Sequence, residues 1–441
     1  MENQTDFTND SDFNRRHFLK SSSLALGGIL VTPKSSNIFV SNSNNDVLKI
    51  ALIGCGKRGA GAAAQALTTS KNVKLVAMAD VFRDQLDETY FHLTKIPKLK
   101  DQIDVPESAK FVGFDAYKKA IELADVVLLA TPAPFRPDHF EAAIQASKHV
   151  FMEKPLASDM PGIRKILATG ELASKKKLSV VVGLQNRYDP THQELVKVIK
   201  EGAIGDVISS SCYYMIGNIN LVPRKPGWSE MEYQVRNWRY FNWLWAGSPA
   251  GLQIHNDDVV HWVKGAYPIK AQGIGGRQAF KGPDNGDVYD HFYIEYEYGD
   301  GSKLHSEIRH IDGTEKKNGF FFLGTKGSGD LSSGLKDYKG KVIWKKNDKI
   351  IHNPYQIEHD KFFESILSGN LINDTELGAK STMTSIMGRM AAHSGQMIDW
   401  DAAMKSDISI VPPKLSWDAE PPVVPDPNGN YPVPVAGVAQ A

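Results

Sequence analysis

From Val47 onward, short apolar runs alternate with stretches that favour helices. Four apolar runs of strand length stand in the N-terminal part: Leu48–Ile53, Val73–Ala79, Val126–Ala130 and His149–Met152. The alanine-rich stretch 60–67 and the segment Phe140–Ser147 predict helices between them. Strands that alternate with helices predict a parallel sheet with right-handed crossover connections.

The pattern changes after about residue 178. Strand-like runs now follow one another, separated by turn signals such as Gly299-Asp300-Gly301, at 206–216, 269–280, 288–298 and 302–310. Polar and apolar residues alternate within 288–298, which is typical of a half-buried strand. Helices are predicted at 192–201, 357–368 and 376–397. This part of the chain therefore predicts an antiparallel or mixed sheet accompanied by helices.

Residues 1–46 have the features of an export signal. The pair Arg15-Arg16 precedes Phe18-Leu19-Lys20 and the weakly apolar run Leu24–Val31. This arrangement resembles a twin-arginine signal, which predicts a periplasmic location; the alternative is a disordered, slightly basic tail. We therefore assign 1–46 to a signal and spacer. No later stretch approaches the roughly 20 apolar residues that span a bilayer, so no other membrane contact is expected.

Length and composition set the remaining limits. A chain of 441 residues corresponds to two or three domains. We assign a parallel-sheet domain to 47–177, a second α/β domain to 178–411, and a proline-rich strap over the surface to 412–441. Lys plus Arg and Asp plus Glu both total 51, so no overall charge attracts nucleic acid. The two cysteines cannot form a disulfide framework.

A glycine-rich segment follows the first predicted strand. Gly54–Gly59 reads GCGKRG and leads into the alanine-rich helix, as a dinucleotide fingerprint requires. Gly54 would make the tight turn, Gly56 would let the backbone approach the pyrophosphate, and Gly59 would let helix and strand pack closely. The helix N-terminus then offers free N–H groups to the diphosphate. Asp80, at the end of the second strand, lies where a carboxylate binds the ribose hydroxyls.

The same carboxylate bears on the choice of cofactor. A negative charge at Asp80 repels a 2′-phosphate, so NAD is favoured over NADP. Arg58 and Arg83 are close enough in sequence to complicate that choice. The loop with Asp80 nevertheless predicts an NAD-binding Rossmann domain.

Further segments make the chain resemble a known family. It is similar to the glucose–fructose oxidoreductase, inositol dehydrogenase and MocA family over about residues 48–410. The segments that carry the resemblance are the glycine loop, Asp80, Ala130-Thr131-Pro132, Ser147–Pro155 with its Glu-Lys-Pro, Gly183–Tyr188 and His255–Asp258. The resemblance implies a Rossmann domain followed by an α/β domain with a large, open, mostly antiparallel sheet. That sheet's free face commonly makes oligomer contacts, so a homo-oligomer is expected.

The resemblance also implies the site residues. Those expected at the cofactor are Gly54, Gly56, Lys57, Arg58, Gly59, Asp80, Thr131, Pro132, Glu153 and Lys154. Those expected at a small carbohydrate substrate are Arg187, Tyr188, Asp258 and Trp238.

Lys154 and His255 are the candidate catalytic residues. Lys154 follows a parallel strand near the crevice where such sheets bind ligands, and its ammonium can stabilise charge developing on a substrate oxygen. Histidine titrates near neutral pH, which suits proton exchange with a carbinol. Spacings of three and four put His255, Asp258 and Trp262 on one helical face. We predict no metal; a site built from His255, Asp258 and His261 is the disfavoured alternative.

The chain departs from the family pattern at Gly251. The pattern has an aspartate four residues before the histidine, and the segment Ser248–Gln253 supplies no carboxylate. Asp258, Gln253 or a distant residue would have to orient the substrate instead. The missing carboxylate leaves transient oxidation open beside ordinary alcohol oxidation.

Aromatic residues are dense at 228–245. They are Trp228, Tyr233, Trp238, Tyr240, Phe241, Trp243 and Trp245. Such side chains stack on the apolar faces of sugar rings, and Arg236 or Arg239 can bond hydroxyls. Buried core and subunit interface are equally compatible with the cluster.

Three functions fit these observations. The leading one is reversible hydride transfer between NAD and a sugar, cyclitol or glycoside, with the cofactor held tightly because free cofactor is not expected outside the cytoplasm. The second is a redox-neutral NAD-dependent glycoside hydrolase or lyase, in which transient oxidation permits elimination. The third is a non-catalytic dinucleotide-binding regulator, against which the presence of both Lys154 and His255 argues.

Overall fold

The computed structural model describes residues 47–70 and 72–439. The twin-arginine segment lies outside this range, so its role and the periplasmic location stay predictions. No helix among the described residues is long and apolar enough to cross a lipid bilayer.

The first sheet has six parallel strands in the order β3-β2-β1-β4-β5-β6. This order reverses between β1 and β4, which is where sheets of this type bind dinucleotides. The strands are β1 (Leu48–Ile53), β2 (Val73–Asp80), β3 (Lys110–Val112), β4 (Val126–Leu129), β5 (His149–Met152) and β6 (Val180–Val182).

Five helices cover this sheet. Alanine and glycine line the buried side of the first one, which lets it lie close to the strands. The fifth begins at Asp159, whose carboxylate accepts a hydrogen bond from the Gly162 N–H at 3.0 Å. The helices are α1 (Lys57–Thr69), α2 (Arg83–Thr94), α3 (Ala116–Glu122), α4 (Arg136–Gln145) and α5 (Met160–Lys175).

The boundary between the two domains lies later than residue 177. Strand β6 pairs in parallel with β5, with Val150 beside Val180 and Met152 beside Val182. The Rossmann sheet is therefore complete only after Val182. An apolar run of three valines is too short to be assigned to either domain from pattern alone.

The second sheet has nine strands in the order β14-β13-β12-β11-β7-β10-β9-β8-β15. Only β10 and β7 pair in parallel, so the predicted mostly antiparallel sheet is confirmed. The strands are β7 (Val207–Ile216), β8 (Lys270–Gly276), β9 (His291–Glu297), β10 (Lys303–His310), β11 (Lys317–Gly324), β12 (Gly327–Asp330), β13 (Gly334–Asp337), β14 (Val342–Trp344) and β15 (Ile398–Asp399).

One face of the second sheet is buried. Along β9, Phe292, Ile294 and Tyr296 are buried, whereas Tyr293 on the opposite face is 42% exposed. The long helix α11 packs on the buried face, and α10 packs on α1 of the Rossmann domain. The helices of this domain are α6 (Pro190–Lys200), α7 (Glu230–Arg236), α8 (Asn242–Trp245), α9 (Ile254–Lys264), α10 (Pro354–Ser368), α11 (Thr375–Ser394) and α12 (Trp400–Lys405).

Candidate active site

The glycine loop joins β1 to α1. Gly54 has a φ of +93°, and a Cβ there would lie 2.6 Å from the backbone nitrogen of Thr131. A Cβ on Gly59 would lie 1.9 Å from the carbonyl oxygen of Gly54, so only glycine permits this approach of helix to turn. No atom lies within 4 Å of a Cβ built on Gly56. The loop thus combines a tight turn with an open backbone face, as a dinucleotide site needs.

Asp80 closes the other side of this loop. Its Oδ2 accepts from the Cys55 N–H at 2.6 Å, and its Oδ1 accepts from the Phe82 N–H at 2.9 Å. Burial raises the pKa of Asp80, and the two N–H donors act against that rise. The structure therefore holds a carboxylate beside the glycine loop, at the end of β2. The residues fit a dinucleotide whose diphosphate lies over Gly56 and whose ribose hydroxyls meet Asp80.

Arg58 points away from the open face of the loop. Its Nε donates to Glu153, its Nη1 donates to Gln65 at 3.0 Å, and its Nη2 lies 3.6 Å from Glu358. Glu358 is fully buried, and its oxygens have no hydrogen-bond partner. Burial raises the pKa of Glu358 well above its ordinary value. Arg58 and Glu153 thus tie the start of α1 to the end of β5. Lys57, the neighbouring residue predicted at the cofactor, is exposed.

Arg136 organises the segment after β4. This buried guanidinium donates to the carbonyl oxygens of Thr131 and Pro155. It therefore links two predicted cofactor segments, Thr131-Pro132 and Glu153-Lys154, through main-chain atoms. Desolvation lowers the pKa of Arg136 to about 10.

Lys154 is held toward the second domain. Its Nζ donates to the carbonyl oxygen of Gly251 at 2.7 Å. Burial lowers the pKa of Lys154 to about 8; Glu153 acts in the opposite direction, and Arg239, Arg136 and Arg58 lower it further. The ammonium thus sits in a partly buried place with several other positive charges nearby.

His255 stands in the first turn of α9, shortly after Gly251. Its Nδ1 is buried without a hydrogen-bond partner. Burial, followed by the charges of Lys154 and Arg58, lowers the pKa of His255 well below its ordinary value. The imidazole is therefore neutral at neutral pH, in which form it can accept a proton. The structure brings Lys154 and His255 together through the backbone turn that contains Gly251.

The missing aspartate at position 251 has a steric explanation. A Cβ on Gly251 would lie 2.1 Å from Nε1 of Trp245. The buried indole of Trp245 therefore fills the space that an aspartate side chain would need. The acceptor for Lys154 at this position is a main-chain oxygen instead of a carboxylate.

The predicted substrate residues are engaged with other side chains. Arg187 donates to both oxygens of Asp258, at 2.8 and 2.9 Å, and Ser381 donates to Asp258 at 2.6 Å. Asp258 is 1% exposed, so its carboxylate orients Arg187 and does not face a pocket. The Tyr188 hydroxyl donates to Asp374 at 2.6 Å, and burial raises the pKa of Asp374 to about 6.

The aromatic segment divides into two groups. Five of its members are buried core residues, namely Tyr233, Tyr240, Phe241, Trp243 and Trp245. Trp228 and Trp238 are only partly buried. Arg239 lies over the Trp238 ring, 5.1 Å from its centroid. Part of the Trp238 side chain is therefore accessible to a ligand, whereas the five buried rings belong to the core cluster on which it packs.

Sequence reasoning missed Glu358, Asp374, Arg136 and the role of Trp245. Glu358 and Asp374 act through partners distant in sequence, whereas Arg136 and Trp245 act on nearby main-chain positions, Thr131 and Gly251. No local motif marks any of the four. Among the described residues, no group of three or more His, Cys, Asp or Glu is placed to hold a metal ion.

Comparison with known proteins bears on this geometry. Residues 48–184 match the Gfo/Idh/MocA profile, an oxidoreductase family with an NAD-binding Rossmann fold. The segment 48–184, which contains the Rossmann sheet, is therefore similar to the NAD-binding domain of that family. The resemblance expected from the Glu-Lys-Pro context is thereby confirmed for this domain.

Proteins similar to this chain are named for different activities. Inositol 2-dehydrogenase of Rhizobium meliloti is 25% identical over 222 residues, which cover 50% of this chain and 56% of the relative. Alpha-N-acetylgalactosaminidase of Shewanella oneidensis is 22% identical over 367 residues, covering 78% of this chain and 71% of the relative. The first match thus spans little more than half of that relative.

A solved structure extends the likeness to both domains. Scyllo-inositol dehydrogenase from Lactobacillus casei, with bound NAD(H) and scyllo-inositol, superposes with a TM-score of 0.61 at 20% identity. The superposition covers 81% of this chain and 100% of that chain. It shows a shared fold of Rossmann domain and mixed sheet.

Proposed function

We propose that the chain is an NAD-dependent oxidoreductase that acts on a hydroxyl group of a sugar, cyclitol or glycoside. The observation that carries the proposal is the junction at Gly251, where a partly buried lysine and a neutral histidine lie beside the dinucleotide loop. A bound nicotinamide would accept or return the hydride.

Lys154 and His255 would divide the work at the reacting hydroxyl. The Lys154 ammonium donates a hydrogen bond to the substrate oxygen and stabilises negative charge on it. The neutral imidazole of His255 accepts the hydroxyl proton during oxidation and returns it during reduction. Arg187, fixed by Asp258, and Trp238 would line the substrate side.

The test is a screen of cyclitols, aldoses and glycosides for a change in cofactor absorbance near 340 nm. We expect at least one class to respond in the wild type, and none in the variant Lys154→Ala/His255→Ala. The double variant should still bind the dinucleotide through the glycine loop and Asp80, with some loss of affinity because Lys154 is itself expected at the cofactor. Full activity of the double variant would refute the catalytic roles of Lys154 and His255. A wild type that binds the dinucleotide but responds to no substrate class would favour a regulatory protein.

NAD is proposed over NADP on the charges around Asp80. The two neighbouring arginines are engaged elsewhere: Arg58 with Glu153, and Arg83 with Asp87 at 2.7 Å and Glu107 at 2.5 Å. We expect tighter binding of NAD in titrations with both nucleotides. Asp80→Ser should weaken NAD binding and reduce the ratio of NAD affinity to NADP affinity, because the repulsion of a 2′-phosphate is removed.

We also propose export by the twin-arginine route, with the dinucleotide bound before export. Purified, denatured protein should release stoichiometric dinucleotide in mass spectrometry. Replacement of Arg15 and Arg16 by lysine should leave the protein in the cytoplasm upon fractionation, whereas Lys34→Ala in the same segment should not. Equal export of both variants would refute the proposal that Arg15 and Arg16 form a twin-arginine signal.

A second candidate is a redox-neutral glycosidase. The observation that favours it is the relationship to a protein named alpha-N-acetylgalactosaminidase over 78% of this chain. Transient oxidation of the sugar would acidify the carbon beside the new ketone and allow the glycosidic bond to be eliminated. Release of nitrophenol from a nitrophenyl glycoside, without net NADH, would select this function over a dehydrogenase.

The proposed assembly is a homo-oligomer through the outer face of the second sheet. Ile274 and Tyr293 are directly opposite each other on β8 and β9, and they are 72% and 42% exposed. We expect Ile274→Asp to reduce the mass found by light scattering. Ile351→Asp is the control, since Ile351 is 93% exposed outside the sheet. A monomeric wild type would exclude this assembly.

A further inference from the structure

The C-terminal strap, residues 412–439, is bound to the second domain at several points. Gln234 donates to the Val423 carbonyl oxygen at 2.7 Å, and Tyr289 donates to the Pro434 carbonyl oxygen at 2.7 Å. Tyr431 is buried, and its hydroxyl accepts from Arg224 at 2.6 Å. The strap is therefore an integral part of this surface.

Near its start, the strap reaches the Rossmann domain. The ring centroid of Trp417 lies 4.6 Å from that of Phe114 and 5.3 Å from that of Phe82. Phe114 follows β3, and Phe82 follows β2, so the indole lies at the carboxyl ends of these two neighbouring strands. This is the side of the sheet at which such folds bind their ligands.

Phe82 connects this cluster to the ribose-binding carboxylate. Phe82 follows Asp80 by two residues, and its backbone N–H donates to the Asp80 carboxylate at 2.9 Å. The second domain also reaches Phe82, because the Arg236 guanidinium lies 3.8 Å from the ring centroid. An ion pair of Arg236 with Asp84 at 3.0 Å fixes this contact. Three separate parts of the chain thus converge beside Asp80.

We propose that Trp417 of the strap, together with Phe82, forms the adenosine end of the dinucleotide site and retains the cofactor. The inference rests on the proposed NAD-dependent function. Asp80 takes the ribose hydroxyls, so the adenine lies next to the residues that surround this carboxylate. Aromatic rings and guanidinium groups bind the flat face of a base. The strap crosses from one domain to the other here, so the adenosine leaves only after Trp417 has moved.

The experiment compares the release of NADH from Trp417→Ala, Trp417→Phe and Val438→Ala. Val438 belongs to the same strap and is 78% exposed, so it serves as the matched control. Bound NADH is chased with excess NAD, and the dissociation rate is followed by NADH fluorescence. Loss of a stacked base contact of about 1–3 kcal/mol corresponds to release about 5 to 140 times faster. We expect this for Trp417→Ala, with Trp417→Phe close to wild type.

The outcomes separate this inference from the proposed function. A wild type that binds no dinucleotide would refute both. A Trp417→Ala protein that releases NADH at the Val438→Ala rate would overturn the role of the strap and leave the NAD-dependent function intact. Tighter binding in Trp417→Ala would show that the indole competes with the adenine, which would also overturn the inference.

A second measurement avoids any loss of folding in the variant. Amide hydrogen exchange of the wild type is compared with and without bound NADH. We expect slower exchange at residues 412–420 in the loaded protein, and no change at 436–439. Unchanged exchange at 412–420 would contradict closure of the strap over the cofactor.

Discussion

The dinucleotide side of the candidate site depends on one short glycine loop, whereas the substrate side depends on contacts between distant segments of the chain. The dinucleotide side is a short continuous loop, in which the φ of Gly54 and the close approach of Gly59 fix the main chain. The substrate side joins segments far apart in sequence, because Lys154 donates to Gly251 and Arg187 pairs with Asp258. A short sequence motif can predict a local backbone conformation, but it cannot predict contacts between side chains that are distant in sequence.

The largest expected effect concerns the substrate side alone. His255→Ala removes the proton acceptor, which should lower kcat by about 100- to 10,000-fold. Dinucleotide affinity should stay within about two-fold, because His255 does not touch the glycine loop. Steady-state kinetics and NADH titration measure the two quantities. An equal loss of both would show that the two sides are not separable.

The next effect concerns the dinucleotide side. Gly54→Ala places a methyl group 2.6 Å from the Thr131 nitrogen at a φ of +93°. We expect a loss of about 3 kcal/mol in the free energy of unfolding, measured with urea. Gly56→Ala is the matched control, since it meets no atom within 4 Å. It should leave stability unchanged and weaken only dinucleotide binding; equal stability of both variants would contradict the description of the loop.

Gly251→Asp tests why the family aspartate is absent. Its side chain meets the Trp245 indole, so we expect it to lower the free energy of unfolding by about 2 kcal/mol. In the background of Trp245→Ala the same substitution should be tolerated better. A double-mutant cycle should give a coupling of about 1 kcal/mol or more. Additive effects would mean that the indole does not exclude the aspartate.

The smallest effect is a shift in pH dependence. Lys154 acts as an ammonium with a pKa of about 8, so kcat/KM should fall above that pH. The pKa of His255 is lowered, so the acidic fall should lie well below pH 6.5. Arg239→Gln removes a positive neighbour, which should raise the pKa of Lys154 and move the basic limb upward. Arg83→Gln is the control, and an unshifted limb in Arg239→Gln would contradict the electrostatic account.

The sequence predicted the positions of helices and strands more reliably than the tertiary contacts that they make. The strand expected at Val73–Ala79 ends one residue later, at Asp80, and the helix expected at 357–368 begins at Pro354. That helix belongs by sequence to the second domain, yet it packs on α1 and places Glu358 near Arg58. Tertiary packing decides which domain this helix contacts, and the hydrophobic periodicity of the segment does not specify that contact.

The same limit applies to the site. The Glu-Lys-Pro context and the histidine pointed to Lys154 and His255 as candidates, but nothing in the sequence indicated that the Gly251 carbonyl oxygen would accept a hydrogen bond from Lys154. Asp258 was expected at the substrate because the family resemblance implied that role. The structure turns its carboxylate toward Arg187 and Ser381 instead, since a buried carboxylate requires charged or donor partners. The strands β11 to β13 were missed because glycines at Gly319, Gly327, Gly329 and Gly334 interrupt their pattern, and β14 was missed because it has only three residues.

The strap also sets an order of events during synthesis. Every element that it touches precedes it in the chain, so both sheets leave the ribosome before Trp417 does. If Trp417 closes the adenosine end of the site as proposed, the cleft beside Asp80 is open during that interval and closes only when the strap docks. A dinucleotide that enters early is enclosed by the last step of folding, whereas one that arrives afterwards must wait for the strap to detach. Cofactor supply during translation, more than equilibrium affinity, would then decide how much of the protein is loaded.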